Sequence, residues 1–435
     1  MKKNRTIYFL LALVCLGLQS CLFQEEDYFD DSSANRATAD VKRCSELLEA
    51  APNGWVMEYY VGKDYSLGGI NLLCKFDGQR VTMASQIAGA DETVSSLYSV
   101  KSEQATMLSF DTYNYLVHYF GQPQGSMADD PNGTLGGDYE FVISDATADR
   151  IELKGKKNGN RIVMKAFSAD QTWKQYLTRI KKVEDDAFFY EYDLRMDGLY
   201  TGQMLRSNYT FIVTYYDEVG KVYQKTVPFM FTTDGMRFHE PVTIDGQTMQ
   251  NFVWKNEEIS FVCTDEGATG VKMKGIYIDG YQSYDYYPGT YLMDFYRLNG
   301  ATNQLEVASQ EIQLVKNEDG KSYWLKGLEY DILVTYDKPR GGLSILPQFL
   351  KKVQGGYVYL AMWDLMNDYV LRSSAIGLIS YPTTDGIYLV DNGVWMGEIS
   401  GFIFGVYDSQ DEEASFMGYT DAVAAIRLIK KTIEE

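Results

Sequence analysis

The sequence predicts a mainly β protein of two or more antiparallel β-sandwich or barrel-like domains, with one N-terminal helix and one connecting helix. Three observations carry this. Short runs alternate apolar and polar residues, the period of half-buried strands. Asn-Gly and Asp-Gly pairs recur about a dozen times, and both central residues of a type I′ hairpin turn need the positive φ that these pairs tolerate. Tyrosine, at 35 residues, suits a pleated, half-buried surface.

The chain opens with a leader. Lys2, Lys3 and Arg5 precede an uncharged apolar run from Ile7 to Leu18. That run is too short for a spanning helix, which needs about 20 residues. A basic start, a short apolar stretch and small residues before a cut mark a secretion signal. Leu18-Gln19-Ser20-Cys21 reads as a lipobox, so residues 1–20 are expected to be removed and Cys21 to carry acyl chains, palmitate among them. Each buried methylene contributes about 0.8 kcal/mol, and stable anchoring needs more than one chain. Leu22 is not the aspartate that retains lipoproteins in an inner membrane, which favours the outer membrane. The acids Glu25, Glu26 and Asp27 read either as an export signal to the cell exterior or as a solvated linker.

Residues 21–37 are polar and acidic and are expected to form a flexible tether. Its root-mean-square reach is roughly 20–25 Å. Residues 38–168 read as a helix plus a β domain. Thr38 caps a helix whose apolar face is Val41, Cys44, Leu47 and Leu48. Pro52-Asn53-Gly54 stops it, and Trp55, Met57 and Tyr59 then alternate with Val56, Glu58 and Tyr60 as a strand. Hairpin grammar follows at Asp77-Gly78 and Asn158-Gly159. Residues 169–186 form the connecting helix. Thr172 and Gln175 make a capping box, and Trp173, Tyr176, Leu177, Ile180 and Val183 make its apolar stripe. Residues 187–300 are a second β domain and 301–435 a C-terminal β-rich region. Strand signals are weakest over 281–300 and 338–356, which are candidate connections. Thr420 caps a possible helix over Asp421 to Lys431, with a final strand as the alternative.

The chain of 435 residues carries a formal charge of −20, and loss of the leader makes it more acidic. Such a surface is repelled by phosphate backbones, which argues against a nucleic-acid partner. Of five cysteines, Cys44, Cys74 and Cys263 remain beyond the lipid site. They read as buried thiols, with a Cys44–Cys74 bridge as the alternative.

Several blocks resemble a known family. These are Leu47-Leu48-Glu49-Ala50-Ala51-Pro52-Asn53-Gly54-Trp55 with Met57-Glu58-Tyr59-Tyr60, Ser109-Phe110-Asp111-Thr112-Tyr113-Asn114, Gly137-Asp138-Tyr139-Glu140-Phe141 and Arg150-Ile151-Glu152-Leu153-Lys154-Gly155. Together they resemble the Bacteroidetes lipoprotein family of domain of unknown function 4302, over about residues 40–270. The resemblance implies a β architecture, a surface location and nutrient capture beside SusC/SusD-type outer-membrane importers. It implies no catalytic residues and no cofactor.

Chemistry-bearing motifs are sparse. There is no His-Glu-x-x-His, Gly-x-Ser-x-Gly or phosphate-binding loop. His118 and His239 read as structural residues, and no metal site is expected, since catalytic zinc needs three protein ligands. Asp129-Asp130-Pro131-Asn132-Gly133 with Asp138 is a polar loop that could take calcium but lacks EF-hand spacing. The best binding candidates are Tyr281, Tyr284, Asp285, Tyr286 and Tyr287, whose rings fall near Pro288-Gly289 and can stack on sugars or apolar groups. The alternative is that these rings fill a β core. The expected function is a non-catalytic, surface-exposed lipoprotein that binds glycan or peptide or docks on an importer. A surface hydrolase using a carboxylate pair and a structural or adhesive module are the alternatives.

Overall fold

The computed structural model describes residues 32–123, 133–217, 219–411 and 413–431. The lipobox, Cys21 and the acidic cluster lie outside these residues, as do Asp129 to Asn132 of the polar loop.

The described fold is mainly antiparallel β-sheet, as expected, organised as eight-stranded barrels. The first helix, Ser33–Ala50, starts ahead of Thr38. Ser32 caps it, its hydroxyl accepting from the Asn35 N–H at 3.2 Å. Thr38 lies within the helix and donates to the Ala34 carbonyl at 3.0 Å. The end of the expected tether is therefore helical, because Ser32 supplies the same capping chemistry ahead of Thr38. Cys44 and Leu48 bury in the core of the first barrel, and the Trp55 indole donates to the Leu48 carbonyl at 2.9 Å.

That barrel runs from strand Trp55–Val61 to strand Arg161–Ala166. The two pair antiparallel, with Trp55 opposite Ala166 and Met57 opposite Met164, and so close the cylinder. Alternation places Trp55, Met57 and Tyr59 in the core and turns Glu58 and Tyr60 outward. The connecting helix, Trp173–Asp186, has the expected capping box. The Gln175 N–H donates to the Thr172 hydroxyl at 3.2 Å, and the Thr172 N–H to the Gln175 side-chain oxygen at 2.9 Å. Leu177 packs with Leu73, Ala84 and Phe167 on the outside of the first barrel.

The second barrel runs from strand Glu191–Met196 to strand Val271–Ile276. Phe211 and Phe229 stack in its core with centroids 4.5 Å apart. Its strand Met230–Phe231 region lies against the first barrel. A Cβ added at Gly69 would come within 2.7 Å of the Tyr60 ring and 3.0 Å of the Met230 Cβ, so only glycine permits this approach. Asn71, 1% exposed, locks the contact. Its amide donates to the Gln86 side chain (2.7 Å) and the Phe231 carbonyl (3.0 Å), and its oxygen accepts from the Tyr176 hydroxyl (2.9 Å).

The third sheet has 12 strands. Its first strand, Gly289–Asn299, pairs with its last, Phe416–Lys430, which closes part of the sheet into a third barrel. The last strand kinks at Ala425, which has a φ of 50°. Before the kink it pairs with strand Gly401–Tyr407, the start of an extension that leaves the barrel. Three expectations are corrected here. The segment 281–300 contains a full barrel strand, so the third sheet begins ahead of the boundary placed at 300. The segment 338–356 holds strands Gly342–Ile345 and Gln348–Val353. The C-terminal segment is a strand and not a helix, because pairing with two neighbours overrides the helical propensity of its alanines.

Two compact units are distinguished. One runs to Asp186 and includes residues 195–202 and 206–272; the other comprises residues 187–194, 203–205 and 273–435. Cys44, Cys74 and Cys263 are all free and buried, so there is no Cys44–Cys74 bridge. Among the described residues no helix is long and apolar enough to cross a membrane.

Candidate functional site

The outward side chains of strand Trp55–Val61 would meet water on an isolated barrel. Here the second barrel covers them and leaves a cleft of about 430 Å³. Glu58 sits at its floor with 14% of its side chain exposed. It accepts from Lys165 at 2.7 Å and from Arg237 at 2.5 Å. Burial alone would push its carboxyl up; the Arg237 guanidinium and Lys165 ammonium overcome this and hold it below the ordinary range. The Tyr60 hydroxyl is buried beside Arg237, with no aligned hydrogen bond among the described residues.

Three rings form one wall. His239 lies 4.2 Å, centroid to centroid, from both Tyr60 and Tyr65. The chain aims each ring by a local distortion. His239 sits where the register between strands Gly235–Ile244 and Gln247–Lys255 shifts, between Arg237 and Val242, and such bulges re-aim side chains. Tyr65 follows Gly62 (φ 92°) and Asp64 (φ 53°) and itself has a φ of 59°. A left-handed conformation costs a non-glycine residue roughly 1–2 kcal/mol, and strain of this kind gathers at functional sites. Turn bonds hold the strap: Tyr65 N–H to the Gly62 carbonyl, and Leu67 N–H to the Val61 carbonyl, both 3.1 Å. Tyr65 also lines a second cavity of about 720 Å³ bordered by Thr134 and Asn160.

The His239 imidazole is driven below its ordinary pKa, first by burial and then by Arg237 and Arg161, against Glu240 and Glu58. It is therefore neutral at pH 7 and makes no hydrogen bond among the described residues. At the rim Arg150 pairs with Glu152 at 2.9 Å, while Arg161, 78% exposed, stands 3.7 Å from it. Glu240 is exposed. The cleft thus offers aromatic faces with hydrogen-bond donors and acceptors in near balance. It holds no nucleophile paired with a base, and among the described residues no group of three or more His, Cys, Asp or Glu could hold a metal ion.

The sequence-nominated cluster lies elsewhere, in the unit that contains the third barrel. Tyr287 is fully buried, its hydroxyl donating to the Gly341 carbonyl at 2.8 Å, so it offers no ring to a ligand. Tyr284 stacks on Tyr323 at 4.7 Å and donates to the Ser322 carbonyl. Tyr281, half-buried, accepts from Tyr336 at 3.1 Å. Asp285 pairs with Lys316. Only Tyr286 of the four rings is exposed. These residues chiefly seat the chain as it enters the barrel, which is the alternative the sequence left open. His118 is structural: it stacks on Tyr139 at 4.6 Å and accepts from the Asn114 N–H at 3.2 Å. Asp138 is buried and accepts from the Lys157 and Asn158 N–H groups. Of the cleft residues, Glu58 and Tyr60 lie in a block that resembles the family, Tyr65, Arg161 and Arg237 carry no motif, and His239 is a candidate by residue type alone.

The cleft lies within one stretch of recognisable sequence. Residues 25–256 match the family model described as Domain of unknown function (DUF4302). The chain belongs to the DUF4302 family. Residues 264–403 of this DUF4302 protein match a second model, also described as Domain of unknown function (DUF4987). No curated protein matches the chain. Among solved structures it is similar to a DUF3598-family protein of unknown function from Nostoc punctiforme, with 7% identity, 57% of this chain and 99% of that one covered, and a TM-score of 0.15. It is also similar to intact Ap-TbpB with its N and C lobes, with 10% identity, coverage of 84% and 67%, and a TM-score of 0.14. Likenesses at these scores carry no argument about function.

Proposed function

We propose that this DUF4302 protein is a lipid-anchored, non-catalytic binding protein of the outer membrane that faces the cell exterior and captures a small polar nutrient. The observation that carries the binding role is the inter-barrel cleft. Its Tyr65 and His239 rings line the open space, and among the described residues the His239 imidazole has hydrogen-bonding capacity that the fold does not use. Binding sites are typically concave, of roughly 300–1,000 Å³, with a few convergent polar groups. The location rests on the lipobox ending at Cys21 and on the acids that follow it. By its resemblance to lipoproteins that accompany SusC/SusD-type importers, the protein is an accessory component that hands solute to such a transporter.

Hydrolysis is the weaker reading. Glu58 and Glu152 both border the cleft, but Arg237 and Lys165 keep Glu58 ionised, whereas a general acid needs a raised pKa.

Two measurements test the proposal. Labelling cells with an alkynyl palmitate should tag the wild-type protein and not Cys21→Ser, and external protease should digest the protein on intact cells. An unlabelled wild type, or full protection from the protease, would sink the location. Isothermal titration of the purified chain against glycans and peptides tests capture, and Arg237→Ala with undiminished binding would move the site away from the cleft.

A further inference from the structure

We infer that the inter-barrel cleft is built for a neutral, hydroxyl-rich ring: a pyranose unit of a short saccharide. This rests on the binding-protein reading and narrows it to a ligand class.

Three properties point the same way. The first is the wall. Tyr60, His239 and Tyr65 form a continuous edge of rings, with His239 4.2 Å from each tyrosine. The half-buried Tyr65 and His239 rings present apolar surface that suits the C–H face of a sugar, the buried Tyr60 ring backs His239, and the neutral imidazole nitrogens supply polar handles. Rigid positioning by the Gly62–Leu67 strap and the His239 bulge means that little ordering is required on binding.

The second is charge. Arg237 is paired with Glu58 and Arg150 with Glu152, and with Arg161 and Glu240 the lining holds three arginines and three glutamates. The lining therefore carries no surplus cation for a carboxylate or phosphate ligand, and the chain as a whole is at −20. Paired guanidinium and carboxylate groups instead present donors and acceptors side by side. A sugar hydroxyl both donates and accepts, so it matches such pairs where a simple anion does not.

The third is the backbone. A bound peptide strand needs a free sheet edge to pair with. The strands of the cleft offer only short unpaired ends, at Tyr59–Val61 and around His239–Glu240. Strand Trp55–Val61 pairs with Gly68–Asp77 on one side and Arg161–Ala166 on the other. Strand Gly235–Ile244 pairs with Val222–Phe231 and Gln247–Lys255. Closed barrels leave this cleft no continuous strand edge, so recognition falls chiefly to its side chains.

The test is calorimetry on the full-length chain in detergent at pH 7.5, with cellotriose, xylotriose and mannotriose as neutral probes, trigalacturonate as the acidic probe and trialanine as the peptide probe. The variants are Tyr65→Ala, Arg161→Ala and, as a control remote in sequence, Tyr381→Ala. Arg161 is exposed on the rim, so its removal leaves folding intact if Tyr65→Ala does not. At least one neutral trisaccharide should bind. Its affinity should fall about tenfold in Tyr65→Ala and about threefold or more in Arg161→Ala, and hold in Tyr381→Ala. Tighter binding of trigalacturonate or trialanine than of every neutral probe, lost in the same variants, overturns the saccharide class and leaves the cleft as the binding site. No binding of any probe, or binding indifferent to both cleft variants, overturns the ligand class and the cleft together.

Discussion

Replacing Glu58 by glutamine keeps the shape of the cleft floor and removes one charge. The wild-type carboxylate joins Arg237 at 2.5 Å and Lys165 at 2.7 Å, with side-chain exposures of 14% for Glu58, 24% for Arg237 and 43% for Lys165. Breaking a buried ion pair from one side typically costs about 3–5 kcal/mol, because the remaining charge loses its partner. Arg237 retains some access to water, which places the loss near the low end, about 3 kcal/mol. The more exposed Lys165 adds less than about 1 kcal/mol. For a cooperative unit of this size each kcal/mol shifts Tm by roughly 2–4 °C, so the midpoint should drop by about 6–12 °C. Differential scanning calorimetry and urea unfolding followed by tryptophan fluorescence both read this. The acid limb gives an independent check. Since the folded-state pKa of Glu58 is depressed, its contribution is present above the unfolded value, ~4.3, and is lost as pH falls through the lower folded value. Glu58→Gln should flatten that limb. The double variant Glu58→Gln/Arg237→Met should recover part of the loss, because it leaves no buried unpaired charge. A single-variant loss under about 1 kcal/mol would refute the claim that this pair is desolvated and structural.

Other outcomes are expected from the same geometry. Asn71→Ala removes bonds to Gln86, Phe231 and Tyr176 and should cost about 3 kcal/mol by urea titration, at ~1 kcal/mol for each lost partner; a loss below half of that counts against the lock between the barrels. His239 has a depressed pKa through burial, so stability should be level above pH ~6.5 and fall as pH drops below it, with that component absent in His239→Gln. Cys44, Cys74 and Cys263 are at most 2% exposed, so a thiol reagent should label them only after denaturant is added. Tyr287→Ala should destabilise the third barrel by about 3–5 kcal/mol as a buried aromatic truncation, while leaving ligand affinity at the cleft unchanged by calorimetry.

Much of the local structure was legible because its causes are local. Asp197-Gly198 and Asp245-Gly246 adopt positive φ at both positions, as type I′ turns require. Thr172 and Gln175 cap their helix reciprocally because their spacing allows nothing else to do so as cheaply. The alternation from Trp55 to Tyr59 correctly separated core from outer face. The cleft was not legible, since Glu58 and Tyr60 read as ordinary outward residues until a second barrel covers them. Nothing local marks Tyr65 as left-handed or shows that Gly69 permits the approach of Met230. The burial of Tyr287 was not legible because a ring that fills a core and a ring that stacks on ligand share one composition. The last strand misled because its partners, around residues 291–297 and 401–407, are remote in sequence.

The last strand also sets a timetable. As the chain emerges N-terminus first, the first barrel can seal once Ala166 meets Trp55. The third cannot, because Tyr291 pairs with Lys430 and Arg297 with Val423. Its opening strand must wait, unpaired on that side, until the chain has been made through Lys430. An unpaired edge invites association with other chains. Stopping the chain ahead of Val423 would therefore leave a permanently unsealed cylinder, and the expected phenotype is aggregation.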